Sequence, residues 1–203
     1  MNPVVFLVDD DASFLTAAAR LLRASGFTVQ PFATAQEFLA QLSEDTPGCV
    51  IADLQMPAMS GLDLQAALAK TGNAMPVIFL TGHGDIPSTV QAMRDGAEDF
   101  LEKRAPKETL LAAVTRALAR DAMVRESRAK INGVRARFGK LSGREQEVLT
   151  QVLRGALNKQ IASELGICER TVKLHRTSIT TKLGVHSVAE LTRLAQEAGL
   201  GGS

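Results

Sequence analysis

Through the first half of the chain, short apolar runs alternate with stretches whose apolar residues recur at helical spacing. Val4 to Val8, Phe27 to Phe32, Cys49 to Asp53, Val77 to Thr81 and Ala97 to Leu101 read as strands. Between them, helical patterns run over Ala12 to Ser25, Ala35 to Leu42, Leu62 to Lys70, Ile86 to Arg94 and Pro106 to Arg120. Gly26, Gly48, Pro76 and Gly96 mark strand starts, Thr34 with Glu37 three residues on reads as a capping box, and Pro106 suits a first helical turn. Five strand–helix units in series predict an α/β domain, a five-stranded parallel doubly wound sheet of the flavodoxin-like kind.

The pattern changes after residue 118. Residues 119–140 are charged, lack strand character and read as a helical linker broken by Gly133 and Gly139. Ile131, Val134, Phe138 and Leu141 keep heptad-like spacing there, which suits either a short dimeric coiled coil or a helix packed on its own domain. From Leu141 four helical patterns follow, with Ser142/Glu145 and Ser187/Glu190 as Ser-x-x-Glu capping boxes. Ile161, Ala162 and Leu165 form one apolar face, Gly166 permits a sharp turn, and Val172 and Ile179 begin another face: a helix-turn-helix. The expected organisation is a domain over 1–118, a linker over 119–140 and an all-α four-helix domain over 141–203.

Composition narrows the classes. With 203 residues, 45% hydrophobic and 22% charged, the chain has the make-up of an ordinary globular protein with room for two small cores. Neither a membrane-length apolar run nor a signal-peptide pattern is present, so a cytoplasmic protein is expected. Cys49 and Cys168 have no disulfide or metal spacing. Charge is uneven. Residues 1–118 hold 8 Lys and Arg against 14 Asp and Glu, whereas residues 119–203 hold 15 against 8, an acidic module joined to one suited to nucleic acid. Most of the basic excess lies in 119–140, so DNA binding rests on the motif, with charge as support.

Candidate chemistry collects at the carboxyl ends of the expected strands: Asp9 and Asp10 after the first, Asp53 at the third, Thr81 at the fourth and Lys103 just past the fifth. The run Asp9-Asp10-Asp11 stacks like charges, which is costly unless a cation or donor answers them. A hard divalent cation such as Mg²⁺ suits Asp10 and Asp53 with the main-chain carbonyl of Gln55, Asp9 acting through water, while Asp11 caps the next helix. Asp53 ends a buried strand and is the candidate nucleophile, since carboxylates form acyl-phosphates. Thr81 and Lys103 would hold phosphoryl oxygens.

The segments VDDD, IADLQMPAMSG, LTGHGD and FLEK together resemble the receiver domain of two-component response regulators, and TGHGDIPSTVQAMRDGAEDFLEK is similar to its FixJ branch. The resemblance implies that Asp53 accepts a phosphoryl group from a sensor histidine kinase, with Asp9 and Asp10 in an acidic metal site and Thr81 and Phe100 as the switch. Physically, a dianionic phosphoryl group on Asp53 draws the Thr81 hydroxyl inward and vacates space for Phe100. One position departs from the family: Arg104 follows Lys103 where proline is usual, so the bond is expected to be trans and the Lys103 contact weaker or displaced.

LSGREQEVL, GALNKQIASELGI and RTVKLHRTSITTKLGV resemble the LuxR-type helix-turn-helix of FixJ and NarL regulators. On that pattern Lys173, Leu174 and Thr177 face bases, while Arg170, Thr171, His175, Arg176 and Lys182 lie nearer the DNA backbone or in packing. Thr177 stands where a longer basic residue is usual. His83 and His175 have no second ligand at metal spacing, and Cys168 takes a helix N-cap position. The expected protein is not an enzyme but a transcriptional regulator whose phosphorylation promotes homodimerisation and promoter binding, which admits RNA polymerase as a further partner. The final helix, Val188 to Glu197, offers a dimer contact, unless Leu191 and Leu194 belong to the core. Two alternatives are a Mg²⁺-dependent phosphohydrolase and a regulator that binds DNA constitutively, without phosphorylation.

Overall fold

In the computed structural model, which describes residues 2–43, 46–71, 73–82 and 86–200, five strands form one parallel sheet. They are β1 (Val4–Val8), β2 (Thr28–Phe32), β3 (Gly48–Asp53), β4 (Val77–Thr81) and β5 (Asp99–Glu102), in the order β2-β1-β3-β4-β5. The intervening helices are α1 (Ala12–Ala24), α2 (Ala35–Gln41), α3 (Gly61–Lys70), α4 (Ile86–Arg94) and α5 (Lys107–Phe138). This is the flavodoxin-like order, in which connections leave β1 and β3 in opposite directions and open a crevice at their carboxyl ends.

Strand alternation divides the core in two. Phe6, Val8, Val50, Ala52, Val77 and Phe79 pack on one face with Phe38 of α2, Leu64 and Leu68 of α3 and Ala92 of α4. Val5, Leu7, Cys49, Ile51, Ile78 and Leu80 pack on the other with Ala18, Ala19 and Leu22 of α1 and Leu110, Ala113, Val114 and Ala117 of α5. Each large side chain so buried contributes about 1.5–3 kcal/mol. Both faces are therefore apolar along every central strand, which is why those strands read as unbroken hydrophobic runs.

Three local expectations need correction. The fifth strand starts at Asp99, not Ala97, because Ala97 still closes the end of α4 by donating to the Ala92 carbonyl at 3.0 Å. Pro106 precedes the first residue of α5, although its carbonyl accepts the Thr109 and Leu110 amides. No break occurs at Gly133: α5 is continuous to Phe138 and stops before Gly139. One interior glycine costs a helix only about 1 kcal/mol relative to alanine, and the good helix formers Arg128, Ala129 and Lys130 before it and Arg135, Ala136 and Arg137 after it carry the helix across.

Gly48 is fixed by a close approach. A Cβ built there would lie 2.0 Å from the Val4 carbonyl oxygen, its partner in the β1–β3 register. Neither backbone can yield without breaking the ladder. Gly48→Ala is therefore expected to destabilise the sheet by about 3 kcal/mol, the upper range for overpacking. Urea unfolding followed by circular dichroism measures this; an unchanged midpoint would show that the β3 start can move.

The chain divides into units Met1–Arg125 and Glu126–Ser203, a division that falls inside α5. The second unit contains α6 (Gly143–Leu153), α7 (Asn158–Leu165), α8 (Glu169–Leu183) and α9 (Val188–Glu197). Phe138, Leu141, Val148, Val152, Ile161, Val172, Ile179, Leu183, Leu191 and Ala195 form its core, with Val134 and Leu194 packed against it. Three of the four heptad-like residues thus pack within their own unit, while Ile131 is exposed. Leu191 is core and Val188 is exposed. Gly166 adopts the left-handed conformation, φ +63°, that ends α7 and turns the chain into α8. Ser142 and Glu145 form both bonds of a capping box. At α9 the Ser187 hydroxyl accepts the Glu190 amide at 3.1 Å, but the Glu190 carboxylate takes the His186 amide instead.

Candidate functional site

The register brings the strand-end residues together. Val8 pairs with Ala52, so Asp9 and Asp53 follow side by side at the ends of β1 and β3, the crevice expected from the strand order. Carboxylate oxygens of Asp9, Asp10 and Asp53 lie within 4.8 Å of one another. Asp9 is 1% exposed and Asp53 8%, while Asp10 faces solvent. The Asp11 amide donates to Asp9 at 2.9 Å, and the Gln55 amide to Asp53 at 3.3 Å. Asp11 itself caps α1, accepting the Ser13 and Phe14 amides. Below Asp53, Gly61 opens α3; a Cβ there would meet the Asp53 carbonyl at 2.4 Å, so only glycine lets α3 begin this close to the strand end.

Lys103 answers the charge. Its Nζ lies 2.6 Å from Asp9 Oδ2 and 2.8 Å from Asp53 Oδ2, and 4.6 Å from the centroid of the Phe14 ring. The contact expected to be weakened or displaced is therefore direct. Although the Lys103–Arg104 bond is trans, the Lys103 amide is held by the Thr81 carbonyl at 2.8 Å, and the lysine stem spans the remaining distance. Burial pulls the Lys103 ammonium down, but hydrogen bonds and charge from Asp53 and Asp9 outweigh it and hold its pKa above the usual lysine value. For the more deeply buried Asp9, burial prevails over the Lys103 contact and pushes the carboxyl up. The donor set is all hard oxygen, which fits a cation such as Mg²⁺ rather than a soft metal.

Thr81 is buried at the end of β4, one residue past the Leu80 that pairs with Asp53. Phe100, on edge strand β5, is half-buried with its ring centroid 6.2 Å from that of Phe79. Of the LTGHGD motif, His83, Gly84 and Asp85 lie outside the described residues.

In the second unit, α8 exposes Arg170, Lys173, Leu174 and Thr177 along one side, with Thr171 and His175 half-buried. Leu174 is 64% exposed, an apolar side chain suited to a thymine methyl group. The Thr177 hydroxyl turns back to the Lys173 carbonyl at 3.1 Å. Arg176 bonds Asn158 at the start of α7 at 3.0 Å. Lys182 does not project freely: its ammonium contacts both oxygens of Glu145, at 2.9 and 2.7 Å. Cys168 precedes α8 without capping it through its side chain, and its Sγ lies 3.1 Å from Thr171 Oγ1, which with nearby amides lowers the thiol pKa. Sequence reasoning passed over Leu157, 70% exposed just before α7, and the Ser60–Asp63 capping box that starts α3. The Ser-x-x-Asp spacing was the available signal for the latter.

Known proteins share both parts. Residues 5–115 match the family described as response regulator receiver domain, and residues 139–195 that of bacterial regulatory proteins, luxR family. The response regulator protein TmoT of Ectopseudomonas mendocina is 45% identical over 193 residues, covering 95% of this chain and 88% of its own. The transcriptional regulatory protein FixJ of Bradyrhizobium diazoefficiens is 37% identical, covering 97% of this chain and 96% of its own. Among solved structures, the response regulator StyR superposes with a TM-score of 0.85 at 44% identity, covering 97% of this chain and 100% of its own. Full-length FixJ from B. japonicum gives 0.58 at 36% identity, covering 98% of each chain. Among the described residues, no helix is long and apolar enough to cross a membrane.

Proposed function

The chain belongs to the FixJ/NarL family of response regulators, a receiver domain followed by a LuxR-type helix-turn-helix, and on that footing we propose that Asp53 is the phosphoacceptor that switches DNA binding. The observation that carries the reading is the meeting of Asp53, Asp9, Asp10 and Lys103 at the crevice end of the sheet. A carboxylate oxygen of Asp53 attacks the phosphorus of a phosphohistidine on a sensor kinase. The phosphorus–nitrogen bond breaks, and the imidazole leaves with its electron pair and takes up a proton. A cation such as Mg²⁺, held by Asp10, Asp53 and the Gln55 carbonyl with Asp9 behind a water, would neutralise charge on the transferring group.

Lys103 then exchanges its hold on Asp53 for a phosphoryl oxygen. Thr81 donates to another, and Phe100 moves toward the space that Thr81 vacates. The altered β5 face favours a homodimer. Two DNA-binding units joined in a dimer gain effective concentration on paired half-sites, so a modest dimerisation free energy becomes a large gain in promoter affinity. Arg170, Lys173, Leu174 and Thr177 supply the DNA-facing surface, with Thr171 and His175 beside it.

The test compares DNA affinity of wild type and Asp53→Ala, each with and without a small-molecule phosphodonor and Mg²⁺. Wild type is expected to bind at least tenfold more tightly when phosphorylated, and Asp53→Ala to show no response. Equal affinity in all four arms would establish constitutive binding, and sustained phosphate-ester turnover would favour a phosphohydrolase.

A further inference from the structure

Two stretches of α8 are engaged differently. The stretch from Arg170 to Thr177 presents Arg170, Lys173, Leu174 and Thr177 to solvent. The stretch from Ser178 to Lys182 is tied to α6 through one carboxylate: Glu145 Oε1 accepts from Ser178 Oγ at 2.6 Å, and both Glu145 oxygens accept from Lys182 Nζ. Ser178 and Lys182 are one turn apart on one helical face, so the pair resists both rotation and sliding of α8. The Ser142 amide, at 2.6 Å from Oε2, fixes the carboxylate in turn. Glu145 is 4% exposed, and its hydrogen bonds from Lys182, Ser178 and Ser142 hold the carboxyl at about 2, below the usual range, so it stays ionised.

Lys182 keeps 39% of its side-chain surface exposed, enough for its ammonium to reach a phosphate if released. Residues 141–203 carry 8 Lys and Arg against 6 Asp and Glu, so one freed cation is a large change for this unit. A mobile cation on the recognition helix would strengthen binding to every sequence alike, because phosphate contacts carry no base information.

We propose that Glu145 is a positioning residue for DNA recognition: by holding Lys182 off the phosphate backbone and locking α8 at Ser178, it sets the ratio of specific to non-specific binding. This rests on the reading of the second unit as a DNA-binding module. It replaces the expectation that Lys182 is itself a DNA contact.

The experiment uses the full chain as wild type, Lys182→Met, Glu145→Gln and the double variant. Two probes are used: a duplex of unrelated sequence, and a duplex enriched from a random pool by the wild type. Lys182→Met is expected to keep the wild-type salt dependence on the unrelated duplex. Glu145→Gln is expected to steepen it by about 0.9 in log affinity against log salt, one phosphate contact, and to lower the ratio of affinities for the two probes. In the double variant the slope returns to the wild-type value. A slope shallower by about 0.9 in Lys182→Met places that ammonium on a phosphate already and overturns the proposal. Should Glu145→Gln lose helical circular dichroism, Lys182→Met still decides. A wild type that binds neither probe removes the DNA-binding reading and this proposal together, whereas a binding wild type with the shallower Lys182→Met slope removes this proposal alone.

Discussion

Lys103→Met is expected to leave the receiver unit reliant on a divalent cation for its stability. In wild type the ammonium sits between Asp9 and Asp53, with Asp10 close by. Methionine keeps most of the aliphatic stem but removes the ammonium that, among the described residues, lies between the acids. Two unit charges at 4 Å interact by about 4 kcal/mol at an effective dielectric constant of 20. Because Asp9 and Asp53 are buried, water screens little of this, and the expected loss is about 3 kcal/mol, as for other broken buried pairs. Urea unfolding in chelator should show the loss, and Mg²⁺ should restore most of it while stabilising wild type less. A variant as stable as wild type in chelator would mean the three acids are adequately solvated. The alkaline limb gives an independent check. Because the folded-state pKa of Lys103 is raised, its contribution is complete below the ordinary value of 10.5 and is lost as pH rises through the folded value. Lys103→Met should lack that alkaline loss.

What was legible in the sequence follows from how locally each feature is determined. β1 and β4 were read to the residue, since a strand buried on both faces is an unbroken apolar run, here preceded by Pro3 or Pro76 and closed by polar Asp9 or Thr81. The edge strand β5 was misplaced by two residues because its burial is incomplete and Ala97 serves the preceding turn. Strand ends located Asp9, Asp10, Asp53 and Lys103, because a parallel sheet sends every carboxyl end to one edge. The strength of the Lys103 contact was not legible. It depends on a backbone bond to Thr81, far away in sequence, and on the reach of a flexible side chain. Likewise, Lys182 read as one of several basic residues on a helix until folding set Glu145, 37 positions earlier, against it.

Asp121 was hidden for a similar reason, and its removal is the other large effect expected. Along α5 the buried stripe runs Leu110, Ala113, Val114, Ala117, and the next position on that face, four residues on, is Asp121, 3% exposed. A carboxylate there is tolerable only with partners. Its Oδ2 accepts the Gly48 amide at 2.9 Å, and both oxygens accept from Arg125 Nε, at 3.0 and 2.8 Å. Arg125 in turn donates to the Thr46 carbonyl at 2.5 Å, so the last turns of α5 in this unit are clasped to the start of β3. Asp121→Ala orphans a buried amide and removes a charged acceptor of Arg125, an expected loss of about 3 kcal/mol. Asp121→Asn should lose about half as much, since its carbonyl can still accept from Gly48 while the charge is gone. Hydrogen exchange should quicken from Leu118 to Arg125 in the alanine variant and leave Leu110 to Ala117 protected, because those residues keep their apolar contacts. Combined with Gly48→Ala, the losses should be less than additive, as both act on one contact. If Asp121→Ala leaves both the unfolding midpoint and the exchange pattern unchanged, the apolar stripe alone holds α5 to the sheet, and the clasp contributes nothing.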